Sequence, residues 1–249
     1  MKIIDISVFQ PPQMINYDLL AKSVYGVILR AGYTGYGTGE TYHEDLHFQT
    51  HYKELKKRGV KIGAYWFSCA NTYDKGVKEA MSMSKIVKDK TFELPLYIDS
   101  EDDTGGKFYI RNAGKKLATD AAIGFMETLE NLGYFTGIYA SESWFKNQLD
   151  LKRLDPYSLW VANWSKRPQI RHDLWQKSAT HRENFYPGDL DLNESFKDFE
   201  KIIKNAGLNN FNSKKLKDVT IKIRNLSDED VKIFNKFLSL MDDFEIEIN

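Results

Sequence analysis

Two carboxylates follow a predicted buried strand. The segment LPLYIDSEDDTGG, residues 94–106, is apolar for its first five residues and then carries the acids Asp99, Glu101, Asp102 and Asp103. In an extended strand, residues i and i+2 project to the same side, with Cα atoms about 6–7 Å apart. Asp99 and Glu101 are therefore expected to face one cavity, where they could perform acid–base catalysis. Taken alone, a D-x-E sequence is more typical of a metal site or a solvated acidic turn.

Further acids and aromatic residues lie at the ends of other predicted strands. Asp5 ends the first strand and Asp191 lies in the last. The aromatic residues at the remaining strand ends are Tyr65, Trp66, Tyr139, Trp160, Trp164 and Trp175. In a β/α barrel the carboxyl ends of the strands converge on one mouth, where active sites are built. Carboxylates among aromatic rings indicate a sugar-cleaving site, because rings stack on pyranose faces while the acids catalyse.

Strands and helices alternate along residues 1–206. Short β-branched or aromatic runs predict the strands KIIDISV, VYGVILRAGY, VKIGAYWFS, LPLYIDS, YFTGIYAS, SLWVANW, HDLWQKS and DLDLN. Helical periodicity predicts helices over 44–58, 74–88, 112–132 and around 193–206. This order predicts an α/β fold, an irregular (β/α) barrel of TIM-like type, with an open doubly wound sheet as the alternative.

A different, smaller unit is predicted after the barrel. Residues 207–215 are polar and rich in Gly and Asn, which indicates a linker after a barrel of residues 1–206. Residues 216–249 alternate apolar and polar positions around one amphipathic helix, which predicts a βαβ unit. Some thirty residues bury too little apolar surface to be stable alone. We therefore predict a cell-wall-targeting or oligomerisation element, with self-association through this C-terminal unit.

Several motifs, taken together in this order and spacing, resemble one enzyme family. They are IDISVFQ, VILRAGYTG, D-x-x-F at Asp45 and Phe48, KIGAYWFSCA, E-A at Glu79 and Ala80, LPLYIDSE, GIYAS, LWVANW, LWQKS and D-L-N at 191–193. The chain resembles glycoside hydrolase family 25, the muramidases common among phage endolysins and bacterial autolysins. The resemblance implies an incomplete barrel that cleaves the β-1,4 bond between N-acetylmuramic acid and N-acetylglucosamine in peptidoglycan, and it favours retention of configuration.

The resemblance also assigns catalytic roles. It implies that Glu101 is the general acid, Asp99 its partner carboxylate, and Asp5 and Asp191 the flanking acids. Glu101 must hold its proton near neutral pH, so we expect neighbouring charges and aromatic rings to raise its pKa while Asp99 stays ionised. Asp102 and Asp103 are assigned to the following loop, without a catalytic role. Asp189 lies two residues before Asp191 on the same strand, so the assignment of Asp191 could shift to it.

The predicted substrate-binding residues surround these acids. They are Arg30, Tyr65, Trp66, Tyr139, Trp164 and Gln176. Arg30 is predicted to be either a counter-ion of the acids or a substrate contact. About half of the rings at Tyr65, Trp66, Trp160 and Trp164 are expected in the barrel core. Two departures from the family pattern, Pro11 after IDISVFQ and Lys177 after W-Q, affect the floor of the groove. No cofactor and no metal is expected.

Residues 43–47 read HEDLH and satisfy H-E-x-x-H. In zinc proteases, two histidines one helical turn apart bind zinc and the glutamate is the base. The extended motif fails here, because Thr50 and Lys53 replace its glycine and third histidine. We therefore predict that this segment binds no functional zinc, and keep a zinc metalloprotease and a non-catalytic glycan-binding barrel as alternatives.

The charge balance of the chain restricts its partners. Thirty-five basic and thirty-five acidic residues cancel among 249 residues. No net field therefore favours nucleic acid or an anionic membrane, and a peptidoglycan glycan strand fits better. Cys69 is expected to be buried and inert. The N-terminus lacks the apolar run of a signal peptide, so we expect synthesis in the cytoplasm, and the resemblance favours a phage enzyme released to the cell wall by a holin.

Overall fold

The computed structural model describes residues 1–35, 40–101, 109–211 and 227, with only the backbone of 109–112. The chain divides into two compact units, Met1–Ser213 and Lys214–Asn249. Apart from residue 227, the predicted βαβ unit lies outside the described residues, as do residues 212–215 of the predicted linker and Asp102 and Asp103. The structure therefore does not test the predictions about these residues.

The first unit alternates strands and helices. The strands are β1 (Lys2–Ile6), β2 (Gly26–Thr34), β3 (Tyr42–Glu44), β4 (Lys61–Phe67), β5 (Leu96–Asp99), β6 (Thr136–Ser141), β7 (Ser158–Ala162), β8 (Leu174–Glu183) and β9 (Tyr186–Ser195). The α-helices are α1 (Tyr17–Ser23), α2 (Phe48–Lys57), α3 (Tyr73–Val87), α4 (Tyr109–Asn131), α5 (Glu142–Gln148) and α6 (Phe199–Ala206), and Pro12–Met14 forms a short 3₁₀ turn. Among the described residues, no helix has both the length and the apolar character needed to cross a membrane.

Eight strands close into a barrel. Their order is β1-β2-β4-β5-β6-β7-β8-β9, and β9 pairs again with β1. Neighbours from β1 through β8 run parallel, whereas β9 is antiparallel to both β8 and β1. The short β3 pairs antiparallel with the outer part of β2. The predicted irregular α/β barrel is confirmed, and closure between β1 and β9 excludes the open doubly wound sheet.

Alternating side chains along each strand form two apolar layers. One layer packs between strands and helices and includes Leu29, Trp66 and Ile98. The other fills the barrel interior and includes Tyr97 and Trp160. Since successive strand residues point to opposite faces, parity along each strand decides which side chains reach the interior and its mouth.

The helices begin where polar side chains cap free backbone N–H groups. The side chain of Asn16 caps α1, Thr72 caps α3, Ser141 caps α5 and Asp198 caps α6. Helices α1 and α5, seven residues each, were not predicted. Residues 193–195 belong to β9, so the predicted helix around 193–206 was wrong in its first part and begins at Phe199.

The β8–β9 hairpin packs against the outer apolar layer and against the loop that follows β1. Its register shifts at several points, which bends the ribbon. Phe185 and Tyr186 join the outer apolar layer. The Phe185 carbonyl accepts from the Asn16 N–H at 2.8 Å, and the Tyr186 hydroxyl donates to the Phe9 carbonyl at 3.2 Å. The hairpin therefore supports the loop that follows β1.

The packed chain continues past α6. Gly207 ends the helix in a left-handed conformation, with φ of 67°. The buried Asn209 then donates to the carbonyls of Phe92 (2.9 Å) and Leu94 (3.1 Å) and accepts from the Phe135 N–H at 2.7 Å. The first residues of the predicted linker thus pack against the barrel.

Candidate active site

Four carboxylates meet at the mouth of the barrel. Asp5 lies on β1, Asp99 ends β5, Glu101 follows two residues later, and Asp191 lies on β9 opposite Asp5. All four line a wide cavity of about 850 Å³, and all four also line a narrower cavity of about 260 Å³. They therefore stand where the two cavities join, in the middle of a continuous groove.

Asp189 does not share this position. Its carboxylate pairs with the Arg182 guanidinium at 2.8 Å on the exposed part of the hairpin. The register of β9 places Asp191, not Asp189, beside Asp5.

A buried hydrogen-bond network holds Asp5. Its Oδ2 accepts from Asn193 Nδ2 at 2.7 Å and from Gln176 Nε2 at 3.2 Å. The Trp160 indole N–H donates to Asn193 Oδ1 at 2.7 Å and thereby fixes the amide. Sequence reasoning missed Asn193, although its place two residues after Asp191 puts both on one face of β9.

Gln176 lies in the site, and two hydrogen-bond donors determine which way its side-chain amide is turned. The Trp164 indole N–H, which can only donate, lies 3.1 Å from Gln176 Oε1, and the Tyr139 hydroxyl donates to the same oxygen at 2.9 Å. The Gln176 amide nitrogen must therefore face Asp5. Gln176, Tyr139 and Trp164 all line the narrower cavity.

Burial raises the pKa of every acid in the cluster, and for Asp5, Asp99 and Glu101 neighbouring carboxylates raise it further. For Glu101, desolvation and then the charge of Asp191 raise the pKa to about 7. Desolvation raises the pKa of Asp191 to about 6. The pKa of Asp5 rises through desolvation and then Asp191, despite the hydrogen bonds from Asn193 and Gln176. The cluster therefore retains protons near neutral pH, as a general acid requires.

Asp99 differs from the sequence-based expectation in its electrostatics. Desolvation, then Glu101 and Asp5, raise its pKa, and the charge of Arg30 opposes this only in part. Its Oδ1 is buried and has no hydrogen-bond partner among the described residues. Burial thus favours a neutral Asp99 rather than the ionised one predicted. A donor from a bound ligand at Oδ1 would favour ionisation.

The parity of β4 separates its three consecutive aromatic residues. Tyr65 and Phe67 line the wide cavity. Trp66 is fully buried in the outer layer, where its indole N–H donates to Thr34 Oγ1 at 3.0 Å. A Cβ at Gly32 would overlap the Trp66 indole, so the strand is built around this ring. The prediction that Trp66 binds substrate was wrong, and Phe67 was missed.

Of the other predicted rings, Tyr139 and Trp160 form the floor of the groove. Both are buried, and their ring centroids lie 4.6 Å apart in a T-shaped contact. Trp164 is 62% exposed and stands at the rim of the narrower cavity. Trp175 donates its indole N–H to the Asn163 carbonyl at 2.8 Å, which supports the loop that carries Trp164.

Arg30 lines the wide cavity, but its ion-pair partner is Asp45. Arg30 Nε lies 2.7 Å from Asp45 Oδ2, and that oxygen also accepts from the Val8 N–H at 3.0 Å. The guanidinium lies 5.4 Å from the Phe9 ring centroid and 5.2 Å from that of Tyr33. The pair ties the loop after β1, and with it the exposed Phe9, to this end of the groove.

The HEDLH segment does not form the helix that a zinc protease requires. His43 and Glu44 lie on β3, and α2 begins only at Phe48, so the predicted helix over 44–58 was wrong in its first turn. His51 is buried with Nδ1 2.7 Å from the Tyr17 hydroxyl. Within the part of the chain that the structure describes, no group of His, Cys, Asp and Glu side chains is arranged to hold a metal.

A third cavity, of about 350 Å³, adjoins the narrower one. Glu101, Tyr139 and Trp164 line both, whereas Asp5, Asp99 and Asp191 do not reach the third. Its remaining wall is formed by Ser141, Glu142, Ser143, Ala162 and Asn163. The groove therefore extends in two directions from the four acids, and Glu101 is the one of these four that lines the third cavity.

A barrel with carboxylates and aromatic rings at its mouth is the architecture of a glycoside hydrolase. The sequence profile of glycosyl hydrolases family 25 matches residues 4–182. The chain belongs to this family and is a glycoside hydrolase. The predicted resemblance is confirmed.

Solved structures share the fold at low sequence identity. The CTP1L endolysin is 23% identical, with 82% of this chain and 69% of that chain aligned and a TM-score of 0.65. The bacterial lysozyme from Streptomyces coelicolor is 20% identical, over 85% and 98%, with a TM-score of 0.65. The autolysin LytC from Streptococcus pneumoniae, solved with a synthetic peptidoglycan ligand, is 21% identical over 77% and 46%, with a TM-score of 0.65. No curated protein sequence matches the chain.

Proposed function

We propose that this protein is a peptidoglycan hydrolase, an N-acetylmuramidase that cleaves the β-1,4 bond between N-acetylmuramic acid and N-acetylglucosamine. The observation that carries the proposal is the cluster of four carboxylates, two buried and two half-buried, at the junction of two cavities. A groove open on both sides of the acids suits a polymer that is cut internally. Membership of family 25 and the likeness to a lysozyme, an endolysin and a peptidoglycan-bound autolysin support the choice of substrate.

In the proposed mechanism, Glu101 protonates the glycosidic oxygen. An ordinary glutamate is half ionised at about pH 4.3 and almost fully ionised near neutral pH, where it could not serve as an acid. The raised pKa of Glu101, about 7, keeps a substantial fraction protonated there. As the bond breaks, the proton moves to the leaving oxygen and Glu101 becomes a carboxylate.

Asp99 stabilises the positive charge that develops on the sugar as this bond breaks. Water then adds to the anomeric carbon, giving its proton to the Glu101 carboxylate, which completes the hydrolysis and restores the acid. Asp99 acts either as a nucleophile or by orienting the acetamido group of the substrate, and an N–H donor at its unpaired Oδ1 would favour the required ionisation. Asp5 is held by Asn193 and Gln176, and we assign it and Asp191 a supporting electrostatic role. We propose retention of configuration, which proton NMR of the first product anomer would test.

The direct test of the function is clearing of a Gram-positive cell-wall suspension, with and without a chelator. Clearing should survive the chelator and release new reducing ends on N-acetylmuramic acid, identified by borohydride reduction and sugar analysis. New reducing ends on N-acetylglucosamine would contradict the proposed bond. Loss of clearing with chelator would favour the zinc protease, and binding without clearing would favour a glycan-binding barrel.

We further propose that the substrate is met in the bacterial wall. Endolysin relatives support a phage enzyme that is released after synthesis, by a holin. The partner is the glycan strand of peptidoglycan, and self-association through residues 216–249 remains a proposal.

A further inference from the structure

Glu79 is a buried acid that the proposed mechanism does not use. It lies in the middle of α3 and is 1% exposed. Its Oε2 accepts from the Ser68 hydroxyl at 2.6 Å, and its Oε1 accepts from the Thr34 hydroxyl at 2.6 Å and from the Cys69 N–H at 2.9 Å. Desolvation raises the pKa of Glu79 to about 7, although these hydrogen bonds oppose the shift. Burying an acid costs free energy, so its retention here indicates a specific role for its contacts.

The hydroxyl groups that Glu79 binds lie at the ends of two strands. Thr34 ends β2, and Ser68 directly follows β4. Each hydroxyl oxygen also accepts from an N–H group, that of the Trp66 indole at 3.0 Å for Thr34 and that of the Ala70 backbone at 3.1 Å for Ser68. The hydroxyl protons are therefore free to point at Glu79. Since β2 and β4 are parallel, Glu79 joins α3 to the barrel at the end where the active site lies.

Ser68 also holds the main chain of Asp99. The Ser68 N–H donates to the Asp99 carbonyl at 3.0 Å, and on the other side of the strand the Ser100 N–H donates to the Tyr139 carbonyl at 2.9 Å. The Asp99 Oδ1 has no hydrogen-bond partner among the described residues, whereas two side-chain amides hold the Asp5 carboxylate. The place of the Asp99 carboxyl group in the groove therefore depends on how firmly its backbone is held.

We propose that Glu79 is a positioning residue for Asp99 and acts through Ser68. The Glu79 carboxylate fixes the Ser68 side chain, and the Ser68 N–H fixes the carbonyl of Asp99 and with it the end of β5. Glu79 is buried away from the groove and touches no substrate. The inference rests on the proposed function, in which Asp99 stabilises the charge of the transition state.

Steady-state kinetics on soluble peptidoglycan fragments test this for the wild type, Glu79→Gln, Ser68→Ala and the double variant, each checked for folding by circular dichroism. Glutamine keeps the length of the side chain, but its amide nitrogen cannot accept the Ser68 hydroxyl proton. Ser68→Ala removes the same contact from the other side and keeps the backbone N–H. Met83→Ala is the matched control, because Met83 is buried in the outer apolar layer one turn further along the same helix.

Glu79→Gln and Ser68→Ala should each lower kcat by about ten- to a hundredfold, because a displacement of about 1 Å at a reacting group can cost about a hundredfold in rate. KM should change little, since Asp99 acts on the charge that develops in the transition state. The double variant should lose no more than the larger single loss, because both changes remove one contact. Met83→Ala should lower Tm and keep kcat.

An unchanged kcat in Glu79→Gln, with or without a higher KM, would overturn the inference. So would additive losses in the double variant, or a fall in kcat for Met83→Ala as large as that for Glu79→Gln. If Glu79→Gln does not fold, Ser68→Ala decides by the same criterion, and an unchanged kcat in that variant overturns the inference. A wild type that does not hydrolyse the fragments would instead overturn the proposed function.

Discussion

The proton affinity of each acid in the site depends on its neighbours. Among the causes that raise the pKa of Glu101 to about 7, desolvation comes first and Asp191 is the charged neighbour. A general acid is active only while protonated, so wall lysis should fall as the pH rises through about 7. Asp191→Asn removes the repelling charge and should shift this alkaline limb to lower pH.

The measurement is lysis rate against pH for the wild type and Asp191→Asn. Asp189→Asn is the matched control, because it removes a carboxylate from the same strand that pairs with Arg182 outside the groove. An alkaline limb that stays in place in Asp191→Asn, or moves equally in Asp189→Asn, would contradict this assignment.

Buried acids with raised pKa values also weaken the fold. A carboxyl whose pKa is higher in the folded than in the unfolded protein stabilises the fold below its unfolded pKa, about 3.9 for Asp. That stability is lost as the pH rises through the folded value. The pKa of Asp99 is raised, mainly by desolvation, and its Oδ1 makes no hydrogen bond with the described residues. Asp99→Asn should therefore melt higher than the wild type at pH 8, by about 2–4 °C for each kcal/mol gained.

Thermal melts at pH 8 and at pH 4 test this. The difference between Asp99→Asn and the wild type should shrink toward pH 4, where the wild-type carboxyl is protonated in both states. A variant that melts lower than the wild type at pH 8 would show that Asp99 is stabilising in its ionised form. Activity should fall by several orders of magnitude in the same variant.

At the scale of the element, strand parity decides which aromatic residues reach substrate. Trp66 packs in the outer layer against Gly32 and Thr34, whereas Phe67 lines the wide cavity. Trp66→Phe should lower the free energy of unfolding by about 1–3 kcal/mol, because it leaves a cavity and removes the indole N–H that donates to Thr34 Oγ1, with little change in KM. Phe67→Ala should raise KM for wall fragments severalfold and destabilise less.

Urea unfolding and steady-state kinetics on the two variants give both quantities. If Trp66→Phe raises KM as much as Phe67→Ala does, the side chain of Trp66 faces the groove, which would contradict the described orientation of β4.

The sequence predicted the elements better than the faces they present. The barrel order follows from the alternation of apolar runs and helical periods, and the family motifs located Asp99 and Glu101. The sequence could not show which side chains of β4 face the groove, because Tyr65, Trp66 and Phe67 are all aromatic. The alternation of apolar and polar residues that usually distinguishes the two faces of a strand is missing there. Asn193 was recognised only as part of the D-L-N motif, and its contact with Asp5 follows from the pairing of β1 with β9, which the sequence pattern does not give.

Contacts between residues far apart in the chain could not be predicted from the sequence pattern either. Arg30 was predicted to be either a counter-ion of the catalytic acids or a substrate contact, and its ion-pair partner is Asp45, which the pairing of β3 with β2 brings close to it. The sequence HEDLH matches a motif that requires a helix. Residues Tyr42–Glu44 instead pair with β2 as a strand, so the predicted helix does not begin at residue 44. In both cases the tertiary pairing of β3 decides the outcome.

At the scale of the whole molecule, the barrel unit ends beyond α6. Asn210 donates to the carbonyls of Lys88 at 2.9 Å and Lys90 at 2.8 Å, so a truncation before it would expose these groups. A chain that ends at Ser213, the last residue of the first unit, should therefore fold and hydrolyse soluble muropeptides.

Light scattering and wall-binding assays on the full and truncated chains test the prediction for residues 216–249. We expect the truncated chain to lose either self-association or binding to intact walls. An unchanged monomer with unchanged wall binding would exclude both roles for this unit.

The central claim is that Glu101 is the proton donor of a glycosidase built around four shared carboxylates. It is tested most directly by the rate of wall lysis of Glu101→Gln across the pH range, with Asp189→Asn as the folded control. Glutamine keeps the shape but cannot supply the proton, so lysis should fall by several orders of magnitude at every pH while wall binding persists. Substantial lysis by Glu101→Gln, or an equal loss in Asp189→Asn, would contradict the account.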